Sequence, residues 1–344
     1  VTRLLVIVPC RDEGAVIERR LENLAWSAWP ASLQPHRVLV VDDGSVDGTS
    51  RLAQAAGARV FDPAMVQYET LSNTTAPGKS GAVRTALARA ASECDVVVLT
   101  DADVVHDAKA LVELAQAFEC DAKLALACAA QTFVESLPAD GRVGSSLVDA
   151  GQPFDHATAW VRACESRAGV LWSLHGQLCA WRSSLRLAPS PGVAADDLDL
   201  VGQVRARATG PCAVRVVGAA RFFEVKSSGS VAAGQAVRRA RAYFQAMQRR
   251  APEAGGPLRQ AQAWAYRTLP GWVPLAPRVL QVGLCTLAAL WGGFMAALAC
   301  ATVLSLCAAI PACRYWLELL RTIAHARQLE RRSSLSDRWS MQRT

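Results

Sequence analysis

No cysteine pair stands at Cys-x-x-Cys spacing in this chain, although it holds 11 cysteines, and none has a histidine nearby at metal-ligand spacing. That excludes a zinc module and a dithiol redox centre. Cys285, Cys300, Cys307 and Cys313 lie in or beside an apolar stretch, where cysteine behaves as a small hydrophobe. The pattern reads as reduced, cytoplasmic thiols. Aromatics are scarce, at 6%, and no basic segment is interleaved with them, so no nucleic-acid-binding module is expected. No secretory signal is expected either, because Val1–Cys10 enters a strand and meets Arg11, Asp12 and Glu13 at once. Pro77-Gly78-Lys79-Ser80 resembles the end of a P-loop, but the first glycine of that loop is absent around Asn73–Thr74 and the sequence predicts no strand in front of it. A lysine at a helix start still suits a diphosphate, through its charge and the helix dipole.

What the chain does have is size and an uneven distribution of apolar residues. Its 344 residues can form one large domain or two. Mean hydropathy is +0.16 with 51% hydrophobic residues, and the excess falls after residue 270. A soluble part followed by a membrane-like part is expected. The net charge of +7 is carried mostly by arginine, concentrated at 237–250 and 314–343. Such segments suit anionic headgroups, phosphorylated substrates or plain solvation.

The most informative stretch is 94–106. Val96–Leu99 reads as a strand buried on both faces, and it breaks into Asp101-Ala102-Asp103. Two carboxylates at a strand's carboxyl end, where ligands of open α/β sheets sit, suit a hard divalent cation such as Mg2+ or Mn2+. The bland alternative is a pair of solvated turn aspartates. Other strands are expected at Leu4–Val8, Arg37–Val41, Arg59–Phe61, 123–130, 213–217 and 221–225. Helices are expected at 15–27, from Asp47 or Thr49 to Gly57, and at 79–92, 107–118, 156–171 and 196–208. This alternation implies an α/β fold with a mostly parallel sheet and helices on both faces.

Four strand-end signals stand in one order: Val8-Pro9-x-x-Asp12-Glu13, Asp42-Asp43-Gly44-Ser45-x-Asp47-Gly48-Thr49, Asp101-x-Asp103, and Asp196-Asp197-x-Asp199-Leu200. That order resembles the inverting family-two glycosyltransferases, whose catalytic domain has the GT-A nucleotide-diphospho-sugar transferase fold, over about residues 3–250. The resemblance implies a membrane-anchored enzyme that moves a sugar, hexosyl or N-acetylhexosaminyl, from a nucleotide-diphosphate donor, expected to be a UDP-sugar. Pro9, Arg11, Glu13, Asp43, Lys79 and Asp101 would bind the nucleotide sugar. Asp101 and Asp103 would hold Mg2+ or Mn2+, and Asp197 would be the general base. His175, Gly176, Asp196, Gln235, Arg238 and Arg239 would face the acceptor or the diphosphate. Three departures stand out: Asp12 where the family usually has Asn, Asp196 where it usually has Glu, and Gln235-Ala236-Val237-Arg238-Arg239 without the Trp of polymer synthases. The last favours transfer of one sugar over chain synthesis.

Residues 279–310 are almost uninterrupted in apolar and small residues, with arginines on both flanks. A hairpin with both flanks cytoplasmic is expected, one long tilted helix being the alternative. The expected organisation is a catalytic domain at 1–230, amphipathic interfacial helices at 231–273, a transmembrane segment at 274–313 and a basic cytoplasmic tail at 314–344. Such an enzyme would sit at the plasma membrane facing the cytoplasm, take a lipid or lipid-linked glycan acceptor, and serve cell-envelope glycan or glycolipid synthesis. Two alternatives are a nucleotidyltransferase of similar fold and a catalytically inactive membrane scaffold.

Overall fold

A computed structural model describes residues 2–144, 147–207, 213–226, 229–249, 256–272, 282–287, 290 and 311–332. The chain divides into a unit formed by Val1–Ser227 and another formed by Ser228–Leu335.

In the first unit the elements run β1 (Leu4–Cys10), α1 (Ile17–Trp26), β2 (His36–Asp42), α2 (Thr49–Val60), β3 (Val66–Ser72), α3 (Lys79–Ala90) and β4 (Val96–Thr100). They continue with β5 (Val105–His106), α4 (Ala110–Cys120), β6 (Leu126–Val134), α5 (Pro153–Arg167), β7 (Leu178–Arg182), α6 (Asp196–Arg207) and β8 (Val214–Val225). The strands form one sheet in the order β3-β2-β1-β4-β7-β6-β8-β5. Strands β3, β2, β1 and β4 are mutually parallel. The other half is mixed, because β7 runs antiparallel to both β4 and β6, and β5 runs antiparallel to β8. The expectation of a mostly parallel sheet therefore holds for one half only. Strand–helix alternation is blind to the direction in which the chain re-enters the sheet after α5.

The central strands bury both faces, as their unbroken apolar runs require. Leu4, Val6 and Val8 face a core filled by Ile17, Leu21 and Leu24 of α1 and by Leu111, Leu114 and Phe118 of α4. Leu5 and Ile7 face Ala82, Val83 and Ala86 of α3 and Leu200, Val201 and Val204 of α6. This places α3 and α6 on one side of the sheet, and Ser80 Oγ in the first turn of α3 donates at 3.5 Å to Val193 O in the loop that leads into α6.

Several boundaries differ from expectation. The third strand is not Arg59–Phe61, which closes α2, but Val66–Ser72. As an edge strand with a mostly half-exposed Val-Gln-Tyr-Glu-Thr pattern, it carries little apolar signal. Gly57 lets it close onto α2, since a Cβ there would lie 2.0 Å from the Tyr68 ring. The two strands expected at 213–217 and 221–225 are one strand, β8, with a register irregularity opposite Ala129/Ala130. Helix α5 begins at Pro153, where Gln152 and Asp155 form a reciprocal capping box.

The second unit contains α7 (Gly229–Arg249), α8 (Pro257–Trp272) and α9 (Pro311–Arg332). Its interior holds Ala242, Ala246, Ala263 and Ala326, with Arg241 Nε 3.3 Å from Oε2 of buried Glu330. Tyr243 Oη donates to Tyr266 O at 2.5 Å, tying α7 to α8. No described helix is long and apolar enough to cross a membrane. Of the expected transmembrane segment 274–313, residues 282–287 are helical and most of the rest lies outside the described residues. The C-terminal part of the basic tail, 333–344, lies outside them too.

Candidate active site

Strands β2, β1 and β4 are neighbours and end on the same edge, so Asp42-Asp43, Cys10-Arg11 and Thr100-Asp101 emerge together. Pro9 is buried near the end of β1, beyond the register that pairs β1 with β4, where its missing N–H costs no ladder bond. The loops after β1 and β2 are laced to one another. Asp12 N–H donates to Ser45 Oγ at 2.9 Å and Val46 N–H to Asp12 Oδ1 at 2.9 Å. Glu13 N–H donates to Thr49 Oγ1 and Gly14 N–H to Asp47 Oδ2, both at 2.8 Å. Asp12 has φ +54°, a left-handed conformation that Asn and Asp tolerate best, which accounts for a short Asx side chain at this position. Gly44 and Gly48, at φ +78° and +88°, make the turn possible. Asp42, bonded to Ser45, and Asp47 are thus builders of the loop. Burial tends to raise the Asp47 carboxyl, but hydrogen bonds from Thr49 and Gly14 outweigh it and hold its pKa below the ordinary value.

Asp43 is buried and points the other way. Its carboxylate accepts from Gly78 N–H at 2.8 Å and from Asn73 Nδ2 at 2.5 Å, with Arg11 Nη1 at 3.8 Å. It therefore holds the loop that delivers Lys79 to the start of α3. Lys79 Nζ lies 2.8 Å from Asp101 Oδ1 and 3.0 Å from Asp196 Oδ2. Burial works against its charge, yet the two carboxylates prevail and push its pKa up, so Lys79 is a permanent cation. Among the described residues no group of three or more His, Cys, Asp or Glu is arranged to hold a metal. Asp101 and Asp103 are nonetheless a fit for Mg2+ or Mn2+, which favour one or two carboxylates and complete their shell with phosphate oxygens and water.

Asp196 and Asp197 open α6, where the helix dipole favours carboxylates. Asp197 accepts from Leu198 N–H at 2.8 Å. Burial, then the adjacent Asp196 charge, raises its pKa from 3.8 to about 6. Gly176 lies against it, so that a Cβ at 176 would be 3.2 Å from Asp197 Cβ. His175 is buried edge-on to Phe222, with Arg162 Nη1 3.5 Å from its Nε2. Asp199 is a structural partner: it accepts from Ser190 N–H at 2.8 Å and from Gln203 Nε2 at 2.9 Å.

The structure thus gathers Arg11, Asp43, Lys79, Asp101, Asp196, Asp197 and Gly176 through a chain of direct contacts. Gln235, Arg238 and Arg239 lie on α7, in the other unit. Sequence reasoning missed Asn73, Arg162, Thr100 and Arg20. Only Arg20 carries a readable signal: with Ile17, Leu21 and Leu24 it completes the buried stripe of α1, a charge where the period demands an apolar side chain.

Residues 5–142 match the family model described as glycosyl transferase family 2. No curated protein sequence matches the chain. Among solved structures, a mannosyltransferase from Pyrobaculum calidifontis in complex with GDP-Man and Mn2+ is 22% identical, over 96% of this chain and 87% of that one, with a TM-score of 0.70. Glucosyl-3-phosphoglycerate synthase from Mycobacterium tuberculosis in complex with phosphoglyceric acid is 16% identical over 72% of this chain and 80% of that one, with a TM-score of 0.50. At such identities these likenesses speak for the fold. Residues 5–142 are thus similar to glycosyl transferase family 2, and the chain has an α/β GT-A-like fold with a mixed sheet.

Proposed function

We propose that the protein is an inverting glycosyltransferase that moves one sugar from a nucleotide-diphosphate donor to an acceptor hydroxyl, with Asp197 as the base. The observation that carries this reading is the Lys79 ammonium bridging Asp101 and Asp196. It sets the donor-side carboxylates within one side chain's reach of the residue beside the base. The mannosyltransferase of similar fold, whose complex contains GDP-Man and Mn2+, supports a metal-dependent nucleotide-sugar reaction.

Asp101 and Asp103 would hold Mg2+ or Mn2+, which when bound supplies Lewis-acid stabilisation to the departing diphosphate. Lys79 adds a fixed positive charge on the same side, useful because charge develops there as the bond to the anomeric carbon breaks. Arg11 and buried Glu13 border the nucleotide side, with Asp43 behind them. Asp197, ionised above about pH 6, accepts the acceptor proton, and His175-Gly176 shape the space in front of it. Attack opposite the leaving group gives inversion in one displacement. The nucleotidyltransferase alternative wants a free Gly-rich phosphate loop after β1, whereas Asp12–Gly14 is laced to the loop after β2.

The acceptor side of the proposal is a lipid or lipid-linked glycan at the cytoplasmic face of a membrane. It is supported by apolar side chains exposed in the second unit, Leu258, Trp264, Val282, Leu284, Leu287 and Leu290. The test is release of nucleoside diphosphate from a panel of UDP- and GDP-sugars with Mn2+. One donor should be turned over, with activity abolished by chelator and by Asp103→Asn. Turnover indifferent to both would refute the role of the Asp101–Asp103 pair.

A further inference from the structure

Beneath the Asp101–Asp103 turn lies Arg20, which is fully buried. Its Nη2 donates to Thr100 Oγ1 at 2.7 Å, and its Nη1 donates to Val104 O at 3.3 Å and to Asn23 Oδ1 at 2.7 Å. Thr100 and Val104 are the residues immediately before and after Asp101-Ala102-Asp103. One planar, rigid fork therefore grips both ends of the turn.

The connection continues towards the base. Thr100 Oγ1 donates to Gln177 O at 3.1 Å, and the same carbonyl accepts Asp101 N–H at 3.1 Å. Gln177 follows Gly176, whose close approach to Asp197 is described above. A buried relay thus runs from α1 through the turn that bears the paired carboxylates to the loop against Asp197. Energetically Arg20 is an expensive way to fill this space. A guanidinium taken out of water costs several kcal/mol unless well compensated, and an apolar side chain would complete the α1 stripe at lower cost. The hydrogen bonds found for it go to neutral oxygens, and its Nε has none. Helix packing alone gives no reason for an arginine here. A fork that fixes a turn does.

We infer that Arg20 is a positioning residue: through Thr100 it fixes the Asp101–Asp103 turn for metal and diphosphate, and through Gln177 it ties that turn to the loop beside Asp197. The inference rests on the reading that Asp101 and Asp103 hold the metal.

The test is binding of Mn2+ together with UDP or GDP, whichever the wild type binds, by calorimetry on the full chain. Binding is read at a temperature where circular dichroism shows each variant fully folded. Thr100→Val keeps the shape and removes the hydroxyl, Thr100→Ser keeps the hydroxyl, and Arg20→Lys keeps the charge and removes the fork. Residues that orient metal ligands typically contribute 10–100-fold, so Thr100→Val and Arg20→Lys should each weaken binding about tenfold or more, with Thr100→Ser near wild type. Folded Thr100→Val and Arg20→Lys proteins that bind like wild type overturn the role of Arg20, provided Asp103→Asn weakens binding. If Asp103→Asn also binds like wild type, the metal reading itself falls and takes the positioning role with it.

Discussion

At Asp197, burial and the Asp196 charge act in the same direction, and both oppose ionisation. The consequence for catalysis has a definite sign. A general base works only when deprotonated, so kcat/KM should fall about tenfold per pH unit below about pH 6 and level off above it. A rate profile against pH checks this. The consequence for stability runs the other way. The unfolded carboxyl ionises near 3.8 and the folded one near 6, so the folded state binds more protons between them and loses stability as pH rises through that window. Asp197→Asn should therefore melt no lower than wild type at pH 7.5, and a gain on the order of 1 kcal/mol is expected, as when a strained active-site group is neutralised. Gly176 offers a finer probe of the same residue. Gly176→Ala would press a methyl group on Asp197 Cβ, and a displacement of a few tenths of an ångström should lower kcat several-fold while donor binding is unchanged.

On α1, the element scale shows how a helix serves both core and site. Asn23 is fully buried and satisfied on both sides of its amide. Oδ1 accepts from Arg20 and from His106 N–H, while Nδ2 donates to His106 O at 2.9 Å and to Gly141 O at 2.8 Å. Removing it strands several buried groups, so Asn23→Ala should cost about 2–4 kcal/mol in denaturant unfolding. A cost below 0.5 kcal/mol would mean that the network is not built as described. This buried polar layer also marks the boundary of what sequence reading reaches. The strand ends bearing Asp43, Asp101 and Asp103 were legible because long β-branched runs end abruptly in acidic residues, and Asp196-Asp197 because carboxylates favour a helix start. Lys79 was legible from its place at the start of a helix. What holds these groups was not. Gly78 N–H on Asp43, and Gln177 O shared by Thr100 and Asp101, are backbone groups from segments distant in sequence, and any residue type supplies them. The third strand escaped because an edge strand needs little apolar content, and the antiparallel β7 because alternation carries no direction.

At the scale of the whole molecule, the chain joins a domain with a complete two-faced core to a helical unit that exposes apolar residues. If that unit meets a bilayer, full-length protein should float with anionic vesicles at low salt, and Trp264→Ala should weaken the association without altering donor hydrolysis in detergent. Flotation unaffected by salt and by the substitution would remove the membrane-surface reading while leaving the chemistry intact. The chemistry itself is tested most directly by comparing wild type and Asp197→Asn, with donor binding and turnover measured on the same preparations in Mn2+. With Asp197 as the base, the variant should bind the nucleotide sugar as well as wild type and transfer it about 10²–10⁴-fold more slowly. Transfer at the wild-type rate by a variant that binds donor normally would contradict that role.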